Sequence, residues 1–425
     1  MARKPKAAKP SFNHTRHSRL VALFFIVVTI CELGWLNFWK GNAPTGWGVW
    51  VFGDWFWNFG GGFVRRGLGG ELLILLHNIT RIPIVNLLHL LLTALTVVFN
   101  LASYRLVRGR FSAEALAGKA PTLPLLLAVT SPMVFAYSLA VPMVIGHKEL
   151  LVFCLFLWWL RLLRLELPRR ELLWFALAVG VVELTNEMLM FFSVYFAAAF
   201  LFTYATKDER RARFKQVAIP VGVLAFTSAL AVMFSTNSSQ TGMCDRITAA
   251  GAPVWACTGP LEWGGHGAKS AAAELAYQLN LHPFFPVYGA ALLVSLLPLW
   301  LLVRKASRTK FLKIAMLVAI VAVAPMFAVA QDWGRWVSIH AVLATLFVLG
   351  LVLPAEPAAA VKPKRGAKTA VAEKPKGLDR IPVLMRYVLA LVWLVSWGVL
   401  HYGAQFSSIY SVYVQHSFDD WLQPR

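Results

Sequence analysis

Apolar runs broken by short polar stretches recur along the whole chain. A run of about 20 apolar residues is what an α-helix needs to cross a bilayer. By that measure the pattern predicts about eleven spans, near residues 20–38, 85–104, 122–142, 150–166, 172–186, 188–206, 216–235, 284–303, 312–331, 337–353 and 383–404. One further run, Leu72 to Leu76, is too short to cross. It is bounded by Glu71 on one side and by His77, Asn78 and Arg81 on the other. Such a run predicts a short amphipathic or re-entrant helix on the outer face. The expected fold is therefore an all-α polytopic membrane protein.

The polar stretches divide the chain. Residues 1–19 read as a disordered, basic cytoplasmic tail. Residues 20–353 hold the main transmembrane bundle of ten spans, with one long outer loop at 236–283. Residues 354–382 form a Pro/Ala/Lys linker, and 383–425 hold the last span and a short outer tail. The first run, Leu20 to Phe38, is followed by Trp39 and Lys40 rather than by a small-residue cleavage site, so it reads as a signal anchor.

Composition agrees with the pattern. The chain is 58% hydrophobic and only 14% charged, with a mean hydropathy of +0.62; a soluble chain carries about 25% charge. The net charge of +21 raises the question of nucleic acid. Its distribution answers it: 32 of the 41 Lys and Arg fall on one side of the predicted spans. That bias places the amino terminus in the cytoplasm and the carboxyl terminus outside. The basic patches are short and carry no binding motif, so no nucleic-acid partner is expected. Anionic membrane lipids are.

Cys31 and Cys154 lie within spans and read as packing. Cys244 and Cys257 share the outer loop, where an oxidising compartment favours a disulfide. Nothing has zinc-ligand spacing, and no metal or cofactor is predicted. Asn237-Ser238-Ser239 matches a glycosylation sequon, which matters only in a eukaryote.

The richest chemistry lies in Gly53 to Glu71, GDWFWNFGGGFVRRGLGGE. It puts Asp54, Arg65 and Arg66 on the outer side, against the positive-inside bias, among seven glycines. Glycines permit tight turns and close approach to a ligand. Arginines near a helix amino terminus suit phosphate, through dipole, N–H donors and the bidentate fork. The bland alternative is that both arginines reach lipid headgroups. Three further outer turns carry ionisable groups: His147, Lys148 and Glu149; Glu183, Asn186 and Glu187; and Asp332 with Arg335. Each has a local explanation, such as a Lys148–Glu149 or an Asp332–Arg335 ion pair. Their shared face argues for one site. Trp47, Trp50, Trp55, Trp57, Trp333 and Trp336 read as an interface belt, with Trp55 and Trp333 as alternative platforms for sugar rings.

A signal anchor followed by an outer loop with an acid, then a re-entrant stretch, resembles the polytopic GT-C glycosyltransferases. GGFVRRGLGGE, with HKE, TNE and DWGR further on, is also similar to the O-antigen polymerase-like (Wzy-like) proteins of bacterial envelope synthesis. The first resemblance implies Asp54 as general base, with Glu187 its rival. The second implies Arg65, Arg66 and Arg335 on a lipid pyrophosphate. Together they imply a polyprenyl-linked sugar donor, a glycan or lipid-linked acceptor, and the bacterial inner membrane. Two other classes stay open: a transporter or flippase for an anionic substrate, and a non-catalytic assembly subunit. A transporter calls for broken helices and polar residues at mid-bilayer, and the seventh, eighth and tenth spans carry almost none.

Overall fold

The computed structural model describes residues 12–41, 47–116, 120–234, 239–263, 268–304, 306, 308–328, 331–353, 377–400 and 408–409. Every regular element assigned among them is helical. In chain order the α-helices are α1 (Phe12–Gly41), α2 (Trp47–Gly53), α3 (Gly67–Thr80), α4 (Ile84–Leu116), α5 (Leu123–Val129), α6 (Tyr137–Ala140), α7 (Glu149–Arg164), α8 (Arg169–Thr185) and α9 (Met188–Thr203). They continue with α10 (Lys207–Met233), α11 (Gln240–Ala249), α12 (Pro260–Trp263), α13 (Ala268–Leu281), α14 (Phe284–Val303), α15 (Thr309–Phe327), α16 (Trp333–Phe347) and α17 (Val383–Ser396).

Among the described residues, six helical segments are long and apolar enough to cross a membrane: His17–Gly41, Ile84–Ser112, Lys207–Met233, Phe284–Val303, Thr309–Phe327 and Trp333–Val352. The protein is an α-helical membrane protein on that evidence. Shorter apolar helices, α9 and α17, accompany them.

The segment predicted as a span at 122–142 is not one helix. It breaks into α5, a run of turns, α6 and a single 3₁₀ turn at Pro142–Val144. Pro132 and Pro142 explain the break. Each removes a backbone donor and pushes the residue before it away from helical angles. Bare backbone cannot face lipid, and this stretch does not. Side chains from Leu123 to Ile145 are almost all buried by surrounding helices.

Helix α16 runs through the middle of the bundle, and every side chain from Trp336 to Gly350 is buried. Helices α7, α9, α14 and α15 pack on it. Helix α1 pairs with α4, and α8 with α10. These contacts form one large apolar core. A second core lies at the end of the bundle where α16 begins. It is built from Phe52, Trp55, Phe56, Leu73 and Ile74, closed over by Met243, Ile247 and Leu261. This cap explains the glycines. Gly60 lies so close to the Gly242 carbonyl that a Cβ has no room there. Asn58 donates to the Met243 carbonyl at 3.0 Å, and Arg246 pairs with Glu71 at 2.6 Å. The glycine turn therefore lets α11 dock; it does not open a path to a ligand, and that expectation is corrected.

Charge separates by end. The first turn of α16 carries Arg335 at the cap end. At its far end Arg110 and Arg164 donate to the Gly350 carbonyl at 3.0 and 2.7 Å. Arg213 pairs there with Glu166 at 2.9 Å.

Residues 12–19, predicted to be disordered, form the first turns of α1. His17 holds them by sharing a hydrogen bond of 2.7 Å with the Tyr387 hydroxyl of α17. In the predicted linker, Gly377–Arg380 form a 3₁₀ turn and residues 354–376 lie outside the described residues, as do Asn237, Ser238 and the tail from 410 onward.

Cys244 and Cys257 form a disulfide, with Cα atoms 5.3 Å apart. It ties α11 to the 3₁₀ turn Val254–Cys257 within the cap. Closing a loop of this separation stabilises it by about 3 kcal/mol in the chain-entropy model. Mass spectrometry of non-reduced peptides is expected to find the two cysteines linked. Two free thiols in freshly purified protein would contradict the cap.

Candidate functional site

The seam between the two cores holds a cluster of charges that no single element supplies. Asp54 opens a 3₁₀ turn, Asp54–Phe56, directly after α2. The next residue, Trp55, donates its indole N–H to the Gly146 carbonyl at 2.7 Å. Gly146 has φ +79°, and Leu36, Leu92 and Val51 crowd where a Cβ would stand. Only glycine makes that turn readily. It delivers His147, Lys148 and Glu149 beneath Asp54.

Arg65 and Arg66 sit immediately before α3, with Arg66 at the cap position of its amino terminus. Arg66 grips Glu187 with two guanidinium nitrogens, Nε at 2.8 Å and Nη2 at 2.6 Å. Its third nitrogen, Nη1, lies 3.6 Å from Asp54. Arg65 reaches Glu187 at 3.5 Å and is more exposed than Arg66. Lys148 lies 3.8 Å from Asp54 and is only 1% exposed. Its ammonium has no hydrogen-bond partner.

On the bundle side Arg335 donates Nε to Glu149 at 2.9 Å and Nη1 to Asp332 at 2.8 Å. The local Asp332–Arg335 pair thus exists, but Arg335 also bridges to α7. Lys148 and Glu149 do not pair with each other: one turns to Asp54 and the other to Arg335. His147 donates Nε2–H to the Met143 carbonyl at 2.9 Å, which leaves Nδ1 without a partner.

The remaining predicted residues play other parts. Glu183 is fully buried and turned away, accepting from Ser228 at 2.8 Å and from the Met190 amide at 3.1 Å. Asn186 accepts from the Met188 amide at 3.3 Å and so starts α9. Both oxygens of the Glu183 carboxyl are engaged, so it takes a structural part here, whereas the Asn186 amide nitrogen is buried without a partner. The two sugar platforms are corrected as well. Trp333 is wedged among Phe284, Phe285 and Phe327, and Trp55 is 1% exposed. Neither ring is open to stacking: aromatic side chains enclose Trp333, and the Lys148 ammonium lies 5.9 Å over the buried Trp55 ring. Trp57 and Trp336 are buried too, while Trp50 is exposed.

The seam holds four acids, Asp54, Glu149, Glu187 and Asp332, against four bases, Arg65, Arg66, Lys148 and Arg335. Burial alone would raise the Asp54 carboxyl. Lys148, Arg66, Arg335 and His147 outweigh it and hold Asp54 at about 2. Glu187 is treated alike: burial pushes up, Arg66 and then Arg65 pull down, and it settles at about 2. Burial brings Lys148 down to about 8, although Asp54 opposes the shift. Burial and then Arg335 depress His147, so the imidazole is neutral near pH 7.

Comparison with protein-family models, curated proteins and solved structures finds no match. The chemistry of the seam rests on the residues alone.

Sequence reasoning passed over one acid. Glu32, in the interior of α1, is buried and accepts from Asn100 at 2.6 Å and Ser138 at 2.5 Å. The signal was there: a carboxylate near the middle of an apolar run, ICELGWL, needs a partner.

A carboxyl depressed in the folded state stabilises the fold above its unfolded pKa and ceases to as pH falls through its folded value. Stability is therefore expected to decline between about pH 4.5 and 2, the window set by the Asp54 and Glu187 shifts. Thermal unfolding across that range should lose part of its slope in Glu187→Gln. A double-mutant cycle with Arg66→Ala should give a coupling of about 1.5–3 kcal/mol, the range for hydrogen bonds to charged groups.

Proposed function

We propose that the protein is a membrane glycosyltransferase or polysaccharide polymerase. It takes a sugar from a polyprenyl-(pyro)phosphate donor on the outer face of the bacterial cytoplasmic membrane and adds it to an envelope glycan or lipid-linked acceptor. The cap end then faces outward, with the amino terminus in the cytoplasm and the carboxyl terminus outside. The observation that carries this reading is Lys148: a buried ammonium with no hydrogen-bond partner, facing Asp54 beside two arginines at the amino terminus of α3. Its charge is met by Asp54 at 3.8 Å, but its N–H donors have no acceptor within hydrogen-bond distance, an unmet demand that phosphate oxygens would satisfy. Helix α3 supports a lipid source for that anion. It is only 14 residues long and exposes Leu72, Leu75, Leu76 and Ile79. Such a helix lies in the interface and brings a tethered headgroup to the arginines.

The chemistry follows. Phosphate bridges Lys148, Arg65 and the free nitrogen of Arg66. The acceptor hydroxyl oxygen attacks the anomeric carbon. The bond from that carbon to the phosphate oxygen breaks, and the phosphate keeps the electron pair, stabilised by the three cations. The hydroxyl proton passes to Asp54. With pKa about 2, Asp54 is a poor base in the empty site. Phosphate neutralises Lys148 and Arg66, the first two cations that depress it, and Asp54 then rises toward the ordinary carboxylate range.

Specific observations favour a transporter or flippase as the second reading. The stretch 130–148 is a broken segment, and Glu32, Asn100 and His340 are polar groups buried inside long helices. Proteoliposomes separate the two. A transporter moves a labelled lipid-linked sugar between leaflets without changing it, whereas a transferase yields a new glycosidic product.

Arg66→Lys keeps the charge but loses the fork that holds Glu187. It is expected to lower turnover at least tenfold, about 1.4 kcal/mol. Asp54→Asn is expected to preserve binding of undecaprenyl phosphate while lowering turnover by about 10²–10⁴. Full activity in Asp54→Asn removes the base from that residue.

Binding of undecaprenyl phosphate should also depend on pH through Lys148. The amine is charged below about 8 and neutral above it, so affinity should be highest below that pH and decline beyond it. Lys148→Arg, which stays charged, should flatten the decline. An affinity that is level from pH 7 to 9.5 in the unaltered protein would leave Lys148 without this role.

A further inference from the structure

Behind the charged seam lies a cavity of about 70 Å³. One water needs about 10–15 Å³ by this measure, so there is room for several waters or one small ring. Its mouth is formed by His147, Glu149 and Arg335, which belong to the seam. Its floor is Glu32 and Thr96, and one wall is the broken stretch around Tyr137 and Ser138. Non-helical backbone at membrane depth is found where it is buried or lines a polar cavity. Here it does both.

The lining has unmet hydrogen-bonding capacity. The Tyr137 hydroxyl, Thr96 hydroxyl, His147 Nδ1 and Glu149 Oε2 all lack a partner. A buried polar atom left unpaired costs about 1–3 kcal/mol. Four around one chamber point to an occupant that the protein alone does not provide. The chemistry of that occupant is constrained. Glu32 and Glu149 disfavour an anion, and Arg335 disfavours a cation. The unpaired Glu149 oxygen and the neutral His147 nitrogen are acceptors and call for O–H or N–H donors. Phe99, Phe135 and Phe153 add apolar ring faces. A neutral ring bearing several hydroxyl groups meets all of these terms.

We propose that this chamber takes the glycosyl ring of the lipid-linked donor, while its phosphate stays on Arg66 and Lys148 at the mouth. The inference rests on the transferase reading and deepens it. Specificity for the sugar then lies in Glu32, Thr96, Tyr137 and Ser138, none of which belongs to the charged cluster. The ring enters the bundle, and its anomeric carbon remains at the seam, within reach of Asp54.

The test compares binding of farnesyl phosphate with a panel of glycosyl farnesyl phosphates by the full-length protein in nanodiscs. The panel carries glucosyl, galactosyl, mannosyl, N-acetylglucosaminyl and arabinosyl rings. At least one is expected to bind tenfold or more tightly than farnesyl phosphate itself. Thr96→Leu fills the floor and should abolish that gain while leaving farnesyl phosphate affinity within twofold. Ser138→Leu, at the Glu32 side of the lining, should do the same and serves if Thr96→Leu does not fold. Arg66→Lys should weaken every ligand by the same factor. If no ring improves binding, or if the gain survives both leucine variants, the chamber holds only water and the proposal is wrong. If farnesyl phosphate itself fails to bind, the phosphate site is at fault, and both readings fall together.

Discussion

Everything at the cap end depends on keeping charge neutral where two apolar cores meet. An ion buried without a partner costs several kcal/mol. The seam avoids that by interlocking four acids with four bases drawn from separate elements. Arg66 is the central member: it precedes α3, locks Glu187 at the start of α9 and leans toward Asp54 after α2. Arg335 does the equivalent work between α16 and α7. The same pairs that balance the charge therefore fix the relative positions of these helices. They also set the acids low, at about 2 for Asp54 and Glu187, so that both remain ionised over a wide range of pH. Lys148 is the one base there whose charge is close to balance, at about 8.

The broken stretch is the second constraint. A continuous helix at 122–142 would direct its carbonyls along its own axis and leave no gap. The break shortens α5, turns the backbone inward and carries Tyr137 and Ser138 toward α1. Glu32 then has a hydroxyl partner, and Asn100 from α4 supplies another donor. The cost of non-helical backbone is offset by nearly complete burial against α1, α14 and α17. Cavity and break are therefore one feature, joined to the seam through Gly146.

Much of this was legible in the sequence, and the reasons differ by residue. Apolar runs located the six helices long enough to span, because length and hydropathy decide that, but the count of about eleven spans is not shown. Leu72–Leu76, with charges at both ends, located α3. Cys244 and Cys257 paired because they share one loop. The four charged turns announced a common face, since isolated charges near a membrane need partners. What the runs concealed were interruptions in otherwise apolar stretches. Pro132 and Pro142 mark the break, yet the hydropathy of their neighbours masks it. Glu32 was overlooked because one acid barely changes the mean of an apolar run. The glycines showed that something approaches closely, but composition cannot distinguish a ligand from Gly242 of α11. Trp333 and Trp55 were misplaced for a similar reason: an aromatic beside an acid reads as a platform until the fold shows its ring buried.

Charge balance also bears on which acid handles a proton. Glu187 is held by two guanidinium nitrogens at 2.6–2.8 Å, so protonating it would break a two-pronged ion pair. Asp54 is held by looser contacts at 3.6 and 3.8 Å, to cations with donors to spare. An incoming anion competes with Asp54 for those donors far more readily than with Glu187. Its arrival raises the proton affinity of Asp54 and leaves Glu187 in place. On the proposed transferase reading, Asp54 is an inert carboxylate until a negatively charged substrate takes up the cations that hold it low. That asymmetry makes Glu187 the acid that holds Arg66 in place and Asp54 the acid whose protonation a bound anion would change most.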